Sequence, residues 1–165
     1  MIWIHWTTAA WFLPFVLPIV IWVAWSDMAT MRIPNYAVIA LVAVFAVIGP
    51  VALPGLGFYL WHWVHFAVVM AIAFGLWTLR LIGAGDAKFL AAMAPFVNQR
   101  DGFTFLFLLG ATVIAAFAVH RAVRASPLRA QVPDWESWTR REFPMGLALA
   151  PALLFYLLIG AFFGA

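Results

Sequence analysis

Residues 33–79 read IPNYAVIALVAVFAVIGPVALPGLGFYLWHWVHFAVVMAIAFGLWTL, a run without a single Asp, Glu, Lys or Arg. Wound as one helix at about 1.5 Å per residue it would extend roughly 70 Å, more than twice the ~30 Å hydrocarbon core of a bilayer. The run has to fold back on itself, and Pro54-Gly55-Leu56-Gly57 supplies the turn chemistry that divides it. Two membrane helices are expected, near 36–53 and 61–82.

Outward from this run the same apolar character continues. Residues 3–25 make a first span, bent by Pro14 and Pro18. A shorter helix follows over 87–97 and ends at the polar turn Asn98-Gln99-Arg100-Asp101-Gly102. Further spans are expected at 103–119 and, after Pro144 and Gly146, at 147–163. The expectation is an all-α integral membrane protein, one domain over 1–165, with about six transmembrane helices. Composition agrees, since 67% of the 165 residues are hydrophobic and 9% charged, against about 25% charged in soluble domains. The start, Met1 to Trp6, lacks the positive region of a secretory signal and reads as part of the first helix. Cysteine is absent, which excludes disulfides, thiol nucleophiles and cysteine-ligated zinc or iron–sulfur centres.

The net charge of +3 does not read as a nucleic-acid footprint, because the basic residues cluster at span ends and no soluble basic face carries them. With six spans, Arg32, Arg80, Lys88, Arg121, Arg124, Arg129, Arg140 and Arg141 share one side, and Arg100 stands on the other. The positive-inside rule makes the populated side cytoplasmic and puts both ends of the sequence outside. In the loop from His120 to Phe143, Trp135 and Trp138 would share one helical face, as in a helix lying at the bilayer interface.

Two aspartates interrupt the apolar pattern on that side. Asp27 lies in Asp27-Met28-Ala29-Thr30-Met31-Arg32-Ile33-Pro34-Asn35, and Asp86 closes Gly83-Ala84-Gly85-Asp86. A carboxylate at the centre of a membrane helix costs about 2.5–3.5 kcal/mol on insertion scales, so two at one membrane face call for a reason. Two carboxyls a few ångströms apart cannot both ionise readily and share a proton. The ionised one can then activate water while the protonated one polarises a carbonyl. Gly83 and Gly85 would let the backbone turn sharply and approach closely. A helix starting near Asp86 would favour its ionised form.

Other roles remain open at this point. Asp86 could cap a helix, and Asp27 could pair with Arg32 or Arg80. The two could form the proton relay of a small proton-coupled transporter, or the chain could be a non-catalytic membrane subunit of a pilus or secretion machine. His62 and His65 stand three apart, but Trp61 and Trp63 beside them mark an interfacial aromatic belt. No metal site is expected. Lys88 and Arg80 either reach headgroups or tune Asp86, and surface pairing accounts for Asp134, Glu136 and Glu142.

Asp27, the following Ile33-Pro34-Asn35, the distant Gly83-Ala84-Gly85-Asp86-Ala87-Lys88 and the late Pro144-Met145-Gly146 together resemble the type IV prepilin peptidases. These are membrane aspartic proteases of the Gly-x-Gly-Asp class. The resemblance implies that Asp27 and Asp86 are the catalytic pair. It also implies that Arg32, Pro34, Asn35, Gly83, Gly85 and Lys88 shape the site or bind substrate. It further implies cleavage of the basic leader of prepilin-like precursors at the cytoplasmic face of a bacterial inner membrane. The precursor's N-terminal apolar helix would stay among the lipids, and neither cofactor, metal nor nucleic acid would take part. Longer, bifunctional members carry paired zinc-binding cysteines. This cysteine-free chain looks like the short peptidase-only branch that serves tight-adherence (Flp) pili.

Overall fold

The turn that divides the charge-free run falls at Gly55, whose φ of 102° suits a residue without a Cβ. It joins α2 (Asn35–Ala52) to α3 (Leu56–Thr78). The structure, a computed structural model, describes residues 2–165. The other helices are α1 (Trp6–Thr30), α4 (Ala84–Met93), α5 (Gly102–Ala125) and α6 (Gly146–Phe163). Among the described residues the isolated β-bridge recorded joins Ile2 to Gly164, and no strand forms. Five helices (all but α4) are long and apolar enough to cross a membrane, which makes this a multi-pass membrane protein.

The 87–97 segment is not one full-length helix. Helix α4 has ten residues, a rise of about 15 Å, and a 3-10 turn at Ala94–Phe96 replaces its last turn. Pro95 lies in that turn, where its missing N–H and fixed φ suit a helix start better than an interior. Enclosure explains how so short a helix is tolerated. Phe89, Ala92, Met93, Phe96 and Val97 are all buried, with α3, α2 and α6 packed around them. Backbone left unpaired at that depth faces protein rather than lipid.

Despite its length the segment joins the two ends of the bundle. At the far end the Asn98 N–H donates to the Tyr156 hydroxyl (2.9 Å) and its side-chain amide to the Trp3 carbonyl (3.3 Å). Asp101 is fully buried there. It accepts from the N–H of Trp3 (2.8 and 2.9 Å), the N–H of Ile4 (2.9 Å) and the Tyr156 hydroxyl (2.8 Å). Asp27, Asp86 and Gly146 gather at the opposite end. The chain therefore travels between the ends six times, in the alternation that the charge pattern requires. The middle is held by an aromatic cluster in which Phe12 meets Phe96 edge-on at 4.8 Å and Phe45 stacks on Phe12 at 5.8 Å.

The loop after α5 departs from expectation. Trp135 and Trp138 do not lie on an interfacial helix. A 3-10 turn at Glu136–Trp138 folds the loop back onto the bundle. Trp138 is buried against the His120 ring at 5.2 Å, its indole N–H donates to the Val132 carbonyl (2.9 Å), and Trp135 meets Trp25 of α1 edge-on at 5.3 Å. Two indoles that can each bury 150–250 Å² gain more from the bundle than from headgroups.

Candidate active site

Helix α1 runs further than the sequence pattern suggests, so Asp27 sits in its last turn rather than in the loop beyond it. The helix ends at Met31, a non-glycine residue held at φ 53° whose N–H donates to the Asp27 carbonyl (2.9 Å). The next residues are drawn back by the Ser26 hydroxyl, which donates to the Arg32 carbonyl (3.0 Å). Ile33, as the residue before a proline, avoids the helical region, and Pro34 takes the extended N-cap position of α2.

The Asp27 side chain is buried, 4% exposed, and its Oδ2 accepts the Gly146 N–H at 2.6 Å. This bond gives a physical reason for Pro144-Met145-Gly146. The turn aims the first free amide of α6 at the carboxylate, where a helix N-terminus also offers partial positive charge. A Cβ on residue 146 would lie 2.9 Å from the Asp27 Cβ and 3.0 Å from Oδ2. Only glycine lets α6 come this close.

Asp86 occupies the first turn of α4, three residues after the N-cap Gly83, and its Oδ2 accepts the Gly83 N–H at 3.3 Å. Burial pushes the Asp86 carboxyl above the ordinary carboxylate range, and the Gly83 amide draws it partly back. Gly83 and Gly85 do not serve as left-handed turn residues, since Gly55 is the glycine with positive φ among the described residues. A Cβ on Gly83 would stand 2.8 Å from Asp86 Oδ2 and push the carboxylate off the Gly83 amide. At Gly85 a Cβ would meet Ile33 at an ordinary 3.5 Å.

One cavity of about 490 Å³ is lined by both aspartates. Each engages one carboxylate oxygen with a backbone amide, and neither Oδ1 has a protein partner among the described residues. Of the other residues singled out in the sequence, Arg32, Asn35, Gly83, Gly85 and Lys88 line the same cavity. Lys88 donates from Nζ to Asn35 Oδ1 at 3.2 Å and so ties the first residue of α2 to α4. Pro34 stays outside the lining and acts through the start of α2.

Glu142, expected from the sequence to pair at the surface, and Phe143, not singled out there, also line the cavity. Glu142 is exposed and has no ion pair among the described residues, so surface pairing does not account for it. Nothing in its neighbourhood signals this placement except nearness to Pro144. His62 packs inside the protein rather than on its surface. It is buried at the far end, with Nδ1 2.7 Å from the Pro95 carbonyl. Among the described residues no cluster of His, Asp or Glu could hold a metal.

Residues 14–119 match the family model described as the type IV leader peptidase family. The match covers both aspartates and stops short of Gly146, whose place beside Asp27 is known from geometry alone. No curated protein and no solved structure matches the chain.

Proposed function

This chain belongs to the type IV leader peptidase family, and from that premise we propose that it is a membrane aspartic endopeptidase cutting the leader of prepilin-like precursors, with Asp27 and Asp86 as its catalytic pair. The observation that carries the proposal is the shared cavity, into which two carboxyls from different helices open with one oxygen anchored and one free. With one proton between them, the ionised carboxyl takes a proton from water as the water oxygen adds to the scissile carbonyl carbon. The protonated carboxyl gives its proton to the carbonyl oxygen. As the C–N bond of the resulting gem-diol breaks, the first carboxyl gives the leaving nitrogen the proton it took from water and the second takes a proton from a gem-diol hydroxyl, which leaves a carboxylic acid, an amine and a dyad again holding one proton. Anchoring by Gly146 and Gly83 pre-positions the acid and base, and Lys88–Asn35 fixes the start of α4, which carries Asp86, against the start of α2.

One acidic group outside the pair offers a contact for a basic leader residue. Glu142 offers an unpaired carboxylate at the rim beside the two aspartates. Eight basic side chains stand at this end of the bundle in the six-pass arrangement, which favours a cytoplasmic active site in a bacterial inner membrane. The Flp-type pilus branch fits the lack of cysteine. Purified protein incubated with a prepilin from the same genome should release the leader. Asp27→Asn and Asp86→Asn should each lower the rate by about 10²–10⁴-fold, the usual worth of a positioned acid or base, while the protein still inserts and folds. Turnover near wild type in either variant refutes the pairing.

A further inference from the structure

Asp86 is the top of a stripe. On α4, Asp86, Leu90 and Ala94 follow one another at four-residue spacing, so they lie on one helix face. Leu90 and Ala94 form the floor of an apolar groove of about 480 Å³. Its first wall is a second stripe, His65, Val69, Ile72 and Leu76 of α3, and its other wall is the start of α5 with Phe103 and Leu106. The groove exists because α3 and α5 barely touch each other; α3 packs on α4, and α5 on α6. One turn beyond Leu76 lies an opening of about 420 Å³, lined by Trp77, Arg80, Gly83, Met145 and Asp86 itself. Asp86 and Gly83 belong to this opening and to the dyad cavity alike.

The geometry points to the α3–α4–α5 groove as the berth of an apolar helix that forms part of the peptide substrate, with the scissile segment unwinding over Asp86. This inference rests on the peptidase reading above and deepens it. From His65 to Thr78, the end of α3, the wall rises about 20 Å, roughly two thirds of a ~30 Å hydrocarbon core. A polypeptide that reaches the dyad sideways through hydrocarbon has to keep its backbone hydrogen-bonded, and a single segment does so only as a helix. The middle of the groove is apolar, with His65 and Gln99 at the far end and Asp86 beyond the other, so the point at which a helix must unwind coincides with the carboxyl. Apolar contact with the groove does not itself distinguish a helix from a lipid chain. Selectivity comes from the alignment of the α3 and α4 stripes on the opening that holds Asp86, which a lipid chain cannot use.

The cysteine-free sequence makes the test direct. Ile72→Cys and Leu106→Cys are introduced singly, with Ile21→Cys on α1 and Val51→Cys on α2 as controls of similar exposure away from the groove (58, 60, 58 and 66% exposed in that order). Each is combined with Asp27→Asn to hold substrate uncleaved, and reconstituted in vesicles of phosphatidylethanolamine and phosphatidylglycerol. A prepilin carrying one cysteine, scanned along its apolar helix, is then linked with a short bismaleimide. Adducts at positions 72 and 106 should exceed the controls about tenfold, the ratio that ~1.4 kcal/mol of preference gives, and recur about every 3.6 residues. Equal yields at all four positions, or none at 72 and 106, would mean that the groove holds only lipid, and would overturn the inference. Cleavage of the same prepilin by the wild-type chain is measured alongside. Its absence defeats the peptidase reading, whereas cleavage without groove adducts defeats the groove alone.

Discussion

Replacing Gly146 with alanine adds one methyl group at the tightest contact of the site. The new Cβ would start 2.9 Å from the Asp27 Cβ, 3.0 Å from Oδ2 and 3.1 Å from Cγ. Ordinary carbon contacts need about 3.5–4.0 Å, so α6 and the last turn of α1 must separate by roughly half an ångström or more. Neither partner is a flexible tip, because the Asp27 Cβ is fixed to a helix backbone. The separation stretches the 2.6 Å bond from the Gly146 N–H to a buried carboxylate, a class of bond worth about 1.5–3 kcal/mol. Strain from overpacking costs about 1–3 kcal/mol, and since relaxing one relieves the other, the expected net loss of stability is about 1–3 kcal/mol. A 1 Å misplacement of a reacting group costs about 10²-fold in rate, so kcat should fall by about 10- to 100-fold with little change in KM. The assay is leader release from a prepilin in detergent micelles, with thermal denaturation of the same preparations. Gly57→Ala is the control, because no heavy atom lies within 4 Å of a Cβ built there, and it should leave both readouts unchanged. Wild-type kcat in Gly146→Ala would refute the positioning of Asp27 by α6. A lowered denaturation midpoint with normal kcat would refute it equally, leaving Gly146 as a packing residue only.

Two further outcomes follow from the same geometry. Asp101→Ala removes the acceptor for two backbone amides and the Tyr156 hydroxyl. It should destabilise the protein by about 3 kcal/mol or more, as for a buried hydrogen-bonded charge, seen as a lower denaturation midpoint, yet the folded fraction should keep its normal turnover because the dyad lies about 30 Å away along α1. Single cysteines at Leu128 and Leu56, both exposed, should label from opposite faces of inverted and right-side-out vesicles, Leu128 from the cytoplasmic face; the reverse pattern would detach the site from a cytoplasmic leader.

How much of this was written in the sequence depends on what lipid demands. A bilayer requires about 20 consecutive apolar residues per crossing, so the long helices, the Pro54–Gly57 turn and the charge asymmetry are local patterns that can be read residue by residue. The two aspartates were legible for the same reason, since an isolated carboxyl in an apolar chain is conspicuous. The short α4 was only half legible. Being walled in by protein and being bathed in lipid both select apolar side chains, so hydropathy cannot distinguish a ten-residue enclosed helix from a full span.

Contacts between helices were not legible at all. In a membrane the buried and the lipid-facing sides of a helix are equally apolar, and no amphipathic stripe announces which side meets which neighbour. Gly146 reaches Asp27 across 119 positions of sequence and Asp101 reaches Trp3 across 98. In both cases the partner is a backbone N–H, a group every residue but proline carries, so no side chain advertises the bond. Glu142 looked like any loop acid until the chain brought it to the cavity rim. The spans and the two conspicuous carboxyls thus came from the sequence itself, because transfer out of water is a property of each segment alone. Which oxygen is anchored, which glycine gives room and where a groove opens beside Asp86 were decided by tertiary packing, because they depend on half-ångström distances between segments that share no local signal.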